Sequence, residues 1–339
     1  MIVQDTFLNS LQSLREYIQS NDAGLDDAIS KAYELNPWFF PEFTRHAINA
    51  IAEEFLDREK CERWLGLYSK PKQAGKKIGL IMAGNVPLVG FHDLFCVLAS
   101  GHDAIIKLSD KDSVLPKFIV QKWIEADPSL SSRISFLEKL EGFDAVIATG
   151  SNNSARYFEY YFRTTPHILR HNRNGVTLLT GNETPDELKA LGKDIFLYYG
   201  LGCRNVSKIY VPEGYDFSLL EKAFEEWEYL ADHNKYRNNL DYNYAIYIIN
   251  QVKHINLGYL ILKEDELIAS RIGCVHYSFY QDLNNLLLKL EEQRNQIQCL
   301  VSVNPFPGWD HVIPGQSQYP SLHQYADGVD TMQFLVSLS

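Results

Sequence analysis

Cys203 is the side chain in this sequence with the clearest chemical potential. It lies in a turn of small residues within 198–206, directly ahead of the apolar run 208–211. A turn that displays one sulfur before a strand is typical of a nucleophilic thiol, although a core thiol is the alternative for Cys203 taken alone. Earlier in the chain, Asn85 stands on a turn after the apolar run 78–82. A thiol that attacks a carbonyl creates an oxyanion that needs a hydrogen-bond donor, and Asn85 is a candidate for it.

A second group of polar residues follows a predicted strand over 143–149. This strand runs into Gly150 and Ser151, and a helix is predicted over 153–162. A helix amino terminus at the carboxyl end of a strand is a common phosphate-binding position. The alternative is that Ser151 only caps the helix. The sequence contains no Gly-x-Gly-x-x-Gly motif, so an ordinary dinucleotide fingerprint is absent.

Two more polar segments stand at predicted element ends. Strand 103–108 closes with Lys107, Ser109 and Asp110, which can hydrogen-bond the hydroxyls of a ribose. The alternative for this segment is a solvated strand end. The run 170–175 contains His171 and forms a polar patch between two apolar segments, for which a strand-to-strand crossing is the alternative.

Composition excludes several classes of protein. The formal net charge of −11 argues against nucleic acid or an anionic membrane as the main partner. The five cysteines form no Cys-x-x-Cys pair and no Cys/His cluster, so neither a disulfide framework nor a metal site is expected. No apolar run reaches the length of a membrane-spanning helix, and the first residues lack the features of a signal peptide. We therefore expect a cytoplasmic enzyme.

The pattern of elements predicts an α/β fold. Apolar residues recur at helical spacing over 5–19 and 41–56, so the opening part is expected to be helical. From residue 76 onward, predicted strands alternate with predicted helices, which indicates a parallel, doubly wound sheet. The segment 236–253 is rich in Tyr and Asn, and its pattern predicts neither helix nor strand.

Taken in order, these segments resemble the aldehyde dehydrogenase superfamily, and within it the acyl-CoA reductases related to the long-chain fatty acyl-CoA reductase of bacterial bioluminescence. The resemblance covers roughly residues 75–335. Its motifs, with the superfamily feature each one resembles, are Asn85-Val86-Pro87 (oxyanion turn), Lys107-Leu108-Ser109-Asp110 (ribose-binding turn), Ala148-Thr149-Gly150-Ser151 (pyrophosphate turn), Gly200-Leu201-Gly202-Cys203 (nucleophile segment), and the tail segments 315–320 and 325–331.

The resemblance implies a domain organisation and a set of roles. Residues 1–176 would form a helical segment and a nicotinamide cofactor domain, 177–310 a catalytic domain, and 311–339 a C-terminal segment that completes the active site. Cys203 would be the nucleophile, Asn85 an oxyanion donor and His171 a proton donor. Lys107, Ser109 and Asp110 would bind the adenosine ribose, and Gly150 and Ser151 the pyrophosphate.

One departure from the superfamily bears on the reaction. Members that produce free acids carry a Glu that activates water, and the equivalent stretch here, 170–175, has no carboxylate. A thioester on Cys203 should therefore survive until a hydride or another thiol reaches it. The resemblance suggests NADPH as the reductant, with NADH as the alternative. The Asp110 carboxylate would repel a 2′-phosphate, which Lys107 or Lys111 could offset.

The expected activity is reduction of a fatty acyl-CoA to the aldehyde. The resemblance also implies a homo-oligomer and a separate acyl-activating enzyme as acyl donor. Three alternatives stay open. The first is a CoA-acylating dehydrogenase of a short semialdehyde, the second a non-catalytic scaffold that binds nucleotide or acyl groups, and the third an acyltransferase that uses Cys203 without a cofactor.

Overall fold

The computed structural model describes residues 2–20, 22–69, 75–150, 152–309 and 311–338. Its α-helices are α1 Ile2–Gln19, α2 Ala23–Leu35, α3 Pro41–Glu54, α4 Arg58–Leu65, α5 Phe91–Ala99, α6 Leu115–Ala126, α7 Asn152–Phe162, α8 Pro185–Phe196, α9 Ser218–Phe224, α10 Asn234–Ile249, α11 Leu283–Glu292 and α12 Thr331–Ser337. Its strands are β1 Lys77–Ile81, β2 Asp103–Lys107, β3 Ile134–Phe136, β4 Ala145–Thr149, β5 His167–Arg170, β6 Asn174–Leu178, β7 Val206–Pro212, β8 His254–Asn256, β9 Ile261–Glu264, β10 Cys274–Tyr280, β11 Ile297–Val301 and β12 His311–Val312.

The chain divides into two compact units. The first contains Met1–Asn172 and Tyr319–Ser339, and the second contains Arg173–Gln318. The boundaries predicted from the sequence lie after residues 176 and 310. The first division falls before β6 because this strand pairs with β7 and β11 of the second unit.

The first unit is built on a five-stranded parallel sheet with the strand order β3-β2-β1-β4-β5. Strands β1 to β3 extend the sheet in one direction and β4 and β5 in the other, so the order reverses between β1 and β4. A crevice forms at such a reversal, outside the carboxyl ends of the strands, and it is the usual ligand position in open α/β sheets. Four of the polar segments identified in the sequence follow carboxyl ends in this sheet.

The second unit is built on a seven-stranded sheet with the order β12-β11-β6-β7-β10-β9-β8. All neighbouring strands are parallel except β8 and β9, which are antiparallel. β7 lies at the centre, and six of its seven residues are buried. Helix α8 precedes β7 and begins with a stable cap: Thr184 and Glu187 form a capping box and Pro185 occupies the first turn.

Helix α5 begins only at Phe91, because the residues ahead of it form turns and Leu88 has a left-handed backbone with a φ of 56°. One segment differs from the sequence-based expectation. Segment 236–253, for which no element was predicted, lies largely in α10. Its buried positions include Asn243 and two tyrosines, so the buried face of the helix is not marked by regularly spaced aliphatic residues.

Candidate active site

The carboxyl ends of β2, β1, β4 and β5 carry the predicted site residues of the first unit. Lys107 is the last residue of β2, Ser109 and Asp110 follow this strand, and Asn85 follows β1. Gly150 follows β4, whereas Ser151 lies outside the described residues. These strands are neighbours in one parallel sheet, so their carboxyl ends meet at one edge. His171, after β5, belongs to the same edge.

Asn85 is the exposed residue of an otherwise buried turn. Gly84, Val86, Pro87 and Leu88 are all buried around it. Gly84 packs directly against the segment after β2, because a Cβ at this position would lie 2.8 Å from Ser109 Oγ and 3.0 Å from the backbone nitrogen of Asp112. Packing of Gly84 against Ser109 and Asp112 therefore restrains the backbone of the turn that carries the Asn85 amide.

The segment after β2 is itself a tight turn. Ser109 Oγ accepts from the backbone N–H of Lys111 at 3.2 Å, and Ser109 O accepts from the N–H of Asp112 at 3.1 Å. Lys107 and Asp110 are exposed, and Ser109 is half-buried. The segment thus offers a hydroxyl, a carboxylate and an ammonium group at the sheet edge.

His171 is exposed, and its backbone N–H donates to Asp327 Oδ2 at 2.7 Å. The preceding residue, Arg170, is buried and bonds Asp93 Oδ1 at 2.8 Å and Thr331 Oγ1 at 2.7 Å. Burial acts to lower the pKa of Arg170, but the ion pair with Asp93 outweighs it and the pKa is raised. The C-terminal segment is therefore tied to the polar run by a buried cation, a link that the sequence motifs did not indicate.

Cys203 follows an unusual turn in the second unit. After α8 the chain passes through three successive left-handed residues, Tyr198, Tyr199 and Gly200, with φ values of 55°, 56° and 73°. This conformation suits Gly but costs roughly 1–3 kcal/mol for each tyrosine. The ring of Tyr199 packs against His233 and Tyr236, with centroid distances of 4.7 and 5.6 Å. Packing therefore holds the turn in a backbone conformation that it would not adopt alone.

Residues 198–204 form the turn that carries the predicted nucleophile Cys203, and they are called the nucleophile turn below. The buried Asn205 holds this turn by hydrogen bonds, a role that sequence reasoning missed. Its Oδ1 accepts from the N–H of Gly202 at 2.8 Å. Its Nδ2 donates to the carbonyls of Asp194 and Leu197 at 3.0 and 2.9 Å. The signal available in the sequence was a polar amide two residues after Cys203, directly before an apolar strand.

Cys203 also differs from the other cysteines in exposure. None of the five forms a disulfide, and Cys203 is half-buried whereas the other four are buried. Burial raises the pKa of Cys61 to about 12 and that of Cys274 to about 11, so these two thiols resist ionisation. Cys203 is thus the one cysteine of the five that is not buried.

A buried carboxyl of α8 anchors the loop 313–318 of the second unit, which is called the tail loop here. Asp194 accepts from the backbone N–H groups of Gly315 at 2.5 Å and Ser317 at 2.9 Å. Burial raises its pKa to about 6, although these hydrogen bonds act to lower it. The same residue's backbone carbonyl accepts from Asn205, so the tail loop and the nucleophile turn share α8 as their support.

The described residues contain neither a candidate metal site nor a candidate membrane span. No group of three or more His, Cys, Asp or Glu side chains suited to a metal ion occurs among the described residues. Within the same part of the chain, no helix combines the length and the apolar character needed to cross a membrane.

Comparison with known proteins decides the family. The sequence model of the acyl-CoA reductase (LuxC) family matches residues 46–273, about two thirds of the chain. The chain belongs to the acyl-CoA reductase family. As an acyl-CoA reductase, it reduces the thioester of an acyl-CoA to the aldehyde. The family predicted from the sequence is thus confirmed. The search of curated protein sequences found no match.

Solved structures show that the acyl-CoA reductase has an aldehyde dehydrogenase fold. It is similar to aldehyde dehydrogenase 21 of Physcomitrella patens in complex with its reaction product succinate (TM-score 0.71, 10% identity, 98% of this chain and 84% of that one). It is also similar to an oxidoreductase of Marinobacter aquaeolei (0.68, 12%, 94% and 79%) and to an NAD-dependent aldehyde dehydrogenase of Sinorhizobium meliloti (0.67, 11%, 88% and 70%). The predicted fold class is confirmed.

Proposed function

We propose that this acyl-CoA reductase works through an acyl-enzyme on Cys203. The observation that carries the proposal is the nucleophile turn, in which the one cysteine that is not buried stands on a backbone fixed by Asn205. The Cys203 thiolate attacks the thioester carbonyl carbon. The bond from that carbon to the CoA sulfur then breaks, and CoA leaves as a thiol after taking up a proton. The acyl group remains as a thioester of Cys203.

Asn85 is proposed as the donor that stabilises the oxyanion formed in this attack, together with the backbone N–H of Cys203. One such donor is typically worth about 3 kcal/mol of transition-state stabilisation. Support comes from the exposed amide of Asn85 on an otherwise buried turn. Asn85 belongs to the first unit and Cys203 to the second, so the assignment of both to one step follows from the family resemblance.

The residues at the edge of the first sheet fit a nicotinamide dinucleotide. Gly150 stands between β4 and the amino terminus of α7, at the reversal of strand order where such cofactors bind. Lys107, Ser109 and Asp110 supply the donors and acceptors that a ribose requires. When bound, the cofactor supplies a hydride to the acyl group. We propose NADPH, with the exposed Lys107 and Lys111 offsetting the repulsion between Asp110 and a 2′-phosphate.

His171 is proposed as the proton donor for the departing product. The overall reaction consumes one proton for each acyl-CoA reduced to aldehyde, and this proton ends on the sulfur of free CoA. Reduction then adds a hydride to the acyl carbon, and a proton that His171 lends to the acyl oxygen is returned when the bond from that carbon to the Cys203 sulfur breaks and the aldehyde leaves. The support is that His171 is exposed at the same sheet edge as Asn85 and that its backbone is held by Asp327. A fatty acyl chain, a separate acyl-activating enzyme as donor and a homo-oligomeric assembly are proposed from the family resemblance.

The test is NADPH oxidation, followed by near-ultraviolet absorbance, with acyl-CoAs of short, medium and long chain. We expect wild type and Cys274→Ala to turn over and Cys203→Ala to be inactive, because Cys274 is a buried thiol outside the nucleophile turn. The chain-length panel would identify the substrate, and repetition with NADH would identify the cofactor. Turnover by Cys203→Ala would overturn the acyl-enzyme proposal.

A further inference from the structure

The turn that carries Asn85 is held in place by a residue outside it. The backbone N–H of Leu88 donates to Asp112 Oδ2 at 2.8 Å. Leu88 has a left-handed backbone, which a branched apolar residue adopts only when the surroundings impose it. Asp112 stands at the end of the segment on which Gly84 packs. The turn is therefore bound to this segment at Gly84 and at Leu88, on both sides of Asn85.

Asp112 lies in an apolar environment. It is 4% exposed, and its carboxyl borders a small cavity with about 10 Å³ of space for water, enough for one molecule at most. The lining includes the apolar side chains of Met82, Leu88, Phe91, Leu94, Ile119 and Val120. The second carboxyl oxygen, Oδ1, has no hydrogen-bond partner among the described residues.

Burial has a clear electrostatic effect on this carboxyl. It raises the pKa of Asp112 to about 7, and the hydrogen bond from Leu88 opposes the rise only in part. The residues that line the cavity from the end of β1, from α5 and from α6 are all uncharged. On its own segment, the neighbouring Asp110 and Lys111 are exposed. A buried carboxyl without an ionic partner destabilises the fold. The role of Asp112 therefore lies in its hydrogen bond with the backbone N–H of Leu88.

We propose that Asp112 is a positioning residue for the acylation step, which holds the Leu88 N–H and thereby keeps Asn85 where it can donate to the oxyanion. This inference rests on the proposed role of Asn85. The carboxylate is the stronger acceptor of the Leu88 N–H, because a hydrogen bond to an ionised group is stronger than one to a neutral group. The turn is therefore held more firmly when Asp112 is ionised. The segment from Ser109 to Asp112 also contains proposed ribose-binding residues, so one short segment supports both parts of the site.

The first test compares acyl-enzyme formation, measured by mass spectrometry of Cys203 after rapid mixing with acyl-CoA and no reductant. For Asp112→Ala we expect acylation to slow by about tenfold to a hundredfold, because a small displacement of a catalytic group has effects of this size. Alkylation of Cys203 by iodoacetamide needs no oxyanion donor and should stay at the wild-type rate. Asp127→Ala is the matched control, because Asp127 is also a buried carboxyl but lies beyond α6 in the sequence, where it accepts from the backbone N–H of Ser129.

The second test uses Asp112→Asn, which keeps an acceptor oxygen and the side-chain volume but does not titrate. We expect the ratio of wild-type to Asp112→Asn acylation rates to rise as pH increases from about 6 to about 8, through the pKa of Asp112 near 7. The corresponding ratio for alkylation should not change with pH. A merely structural role of Asp112 would shift neither ratio with pH.

The outcomes separate the two proposals. If Asn85→Ala slows acylation while Asp112→Ala does not, or if the acylation ratio is independent of pH, the positioning role is overturned and the role of Asn85 stands. If Asn85→Ala acylates at the wild-type rate, the proposed oxyanion donor is wrong, and the role of Asp112 falls with it.

Discussion

At the scale of single residues, the chemistry of Cys203 depends on groups that do not react. From a fully buried position, Asn205 satisfies one N–H of the nucleophile turn and two carbonyls at the end of α8. The turn contains two tyrosines with left-handed backbone conformations. An isolated segment would not adopt these strained conformations. The Asn205 amide links this turn to the end of α8 and so restrains the backbone next to Cys203.

Replacement of Asn205 should therefore impair both stability and chemistry. We expect Asn205→Ala to lower the free energy of unfolding by about 3 kcal/mol, because buried backbone groups lose their partners. Acyl-enzyme formation should slow as well. Urea denaturation and mass spectrometry of Cys203 measure the two effects. Asn250→Ala is the control, because the exposed Asn250 also bonds a carbonyl, that of Ile246, and its loss should cost about 0.5 kcal/mol or less.

Cofactor preference is also decided by single charges. Lys111 is exposed one residue after Asp110, so it is placed to favour a 2′-phosphate that Asp110 disfavours. We expect Lys111→Ala to raise the KM for NADPH by about tenfold and to leave the KM for NADH almost unchanged. Lys117→Ala, an exposed lysine on α6, is the control. Equal effects on both cofactors would contradict the assignment of Lys111 to the 2′-phosphate.

At the scale of elements, helix α8 connects two segments that are distant in sequence. Its Asp194 side chain holds the loop at Gly315 and Ser317, and its backbone carbonyl holds Asn205. The loop lies in one of the tail segments that resemble the acyl-CoA reductases, and its anchoring explains how it is fixed. The hydrogen bonds oppose the effect of burial on Asp194 without cancelling it.

The raised pKa of Asp194 predicts a definite pH dependence of stability. Its folded value of about 6 lies above the ordinary 3.8, so between these pH values the folded protein holds a proton that the unfolded chain has released. The stability from this group is present below about pH 4 and is lost as pH rises through about 6, by up to about 3 kcal/mol. Asp194→Asn lacks this loss.

We therefore expect the Tm of Asp194→Asn, relative to wild type, to increase as pH rises from about 4 to about 7. Calorimetry of both proteins over this range measures the difference. The difference in Tm at a single pH is less informative. The side-chain oxygen of an Asn accepts one of the two backbone N–H groups, whereas its NH2 group repels the other. Parallel Tm curves for the two proteins would show that Asp194 does not titrate in this range.

At the scale of the whole molecule, the C-terminal segment returns to the first unit after the chain has completed the second. It contributes buried side chains there, including Leu322, Tyr325, Met332 and Leu335. Tyr325 also accepts from the indole N–H of Trp64 at 3.0 Å. The core of the first unit thus combines side chains that precede the second unit in the sequence with side chains that follow it.

The contribution of this segment can be measured with two variants. Leu335 is fully buried, so Leu335→Ala should lower the free energy of unfolding by about 2 to 5 kcal/mol. Val329 is 40% exposed in the same segment, and Val329→Ala should cost about 0.5 kcal/mol or less. Chemical denaturation of both variants tests the prediction. Equal stability of the two would contradict the role of the segment in the core.

The sequence by itself determined the α/β class, the acyl-CoA reductase family and most strand positions, because alternation of apolar runs and short polar motifs at strand ends are local properties. It also singled out Asn85 and Cys203 from their turns. It predicted no element for the region of α10, because tyrosines and asparagines there occupy positions that aliphatic residues usually mark.

Only the tertiary structure decided which distant groups support the site. Asp112 reaches the turn at Leu88, Asp194 reaches the loop at Gly315, and Arg170 reaches Thr331. None of these residues belongs to a motif with its partner, and each looks like an ordinary polar residue in its own segment. Their partners and their burial are set by how the chain folds back on itself, and burial is what raises the pKa of Asp112 and Asp194.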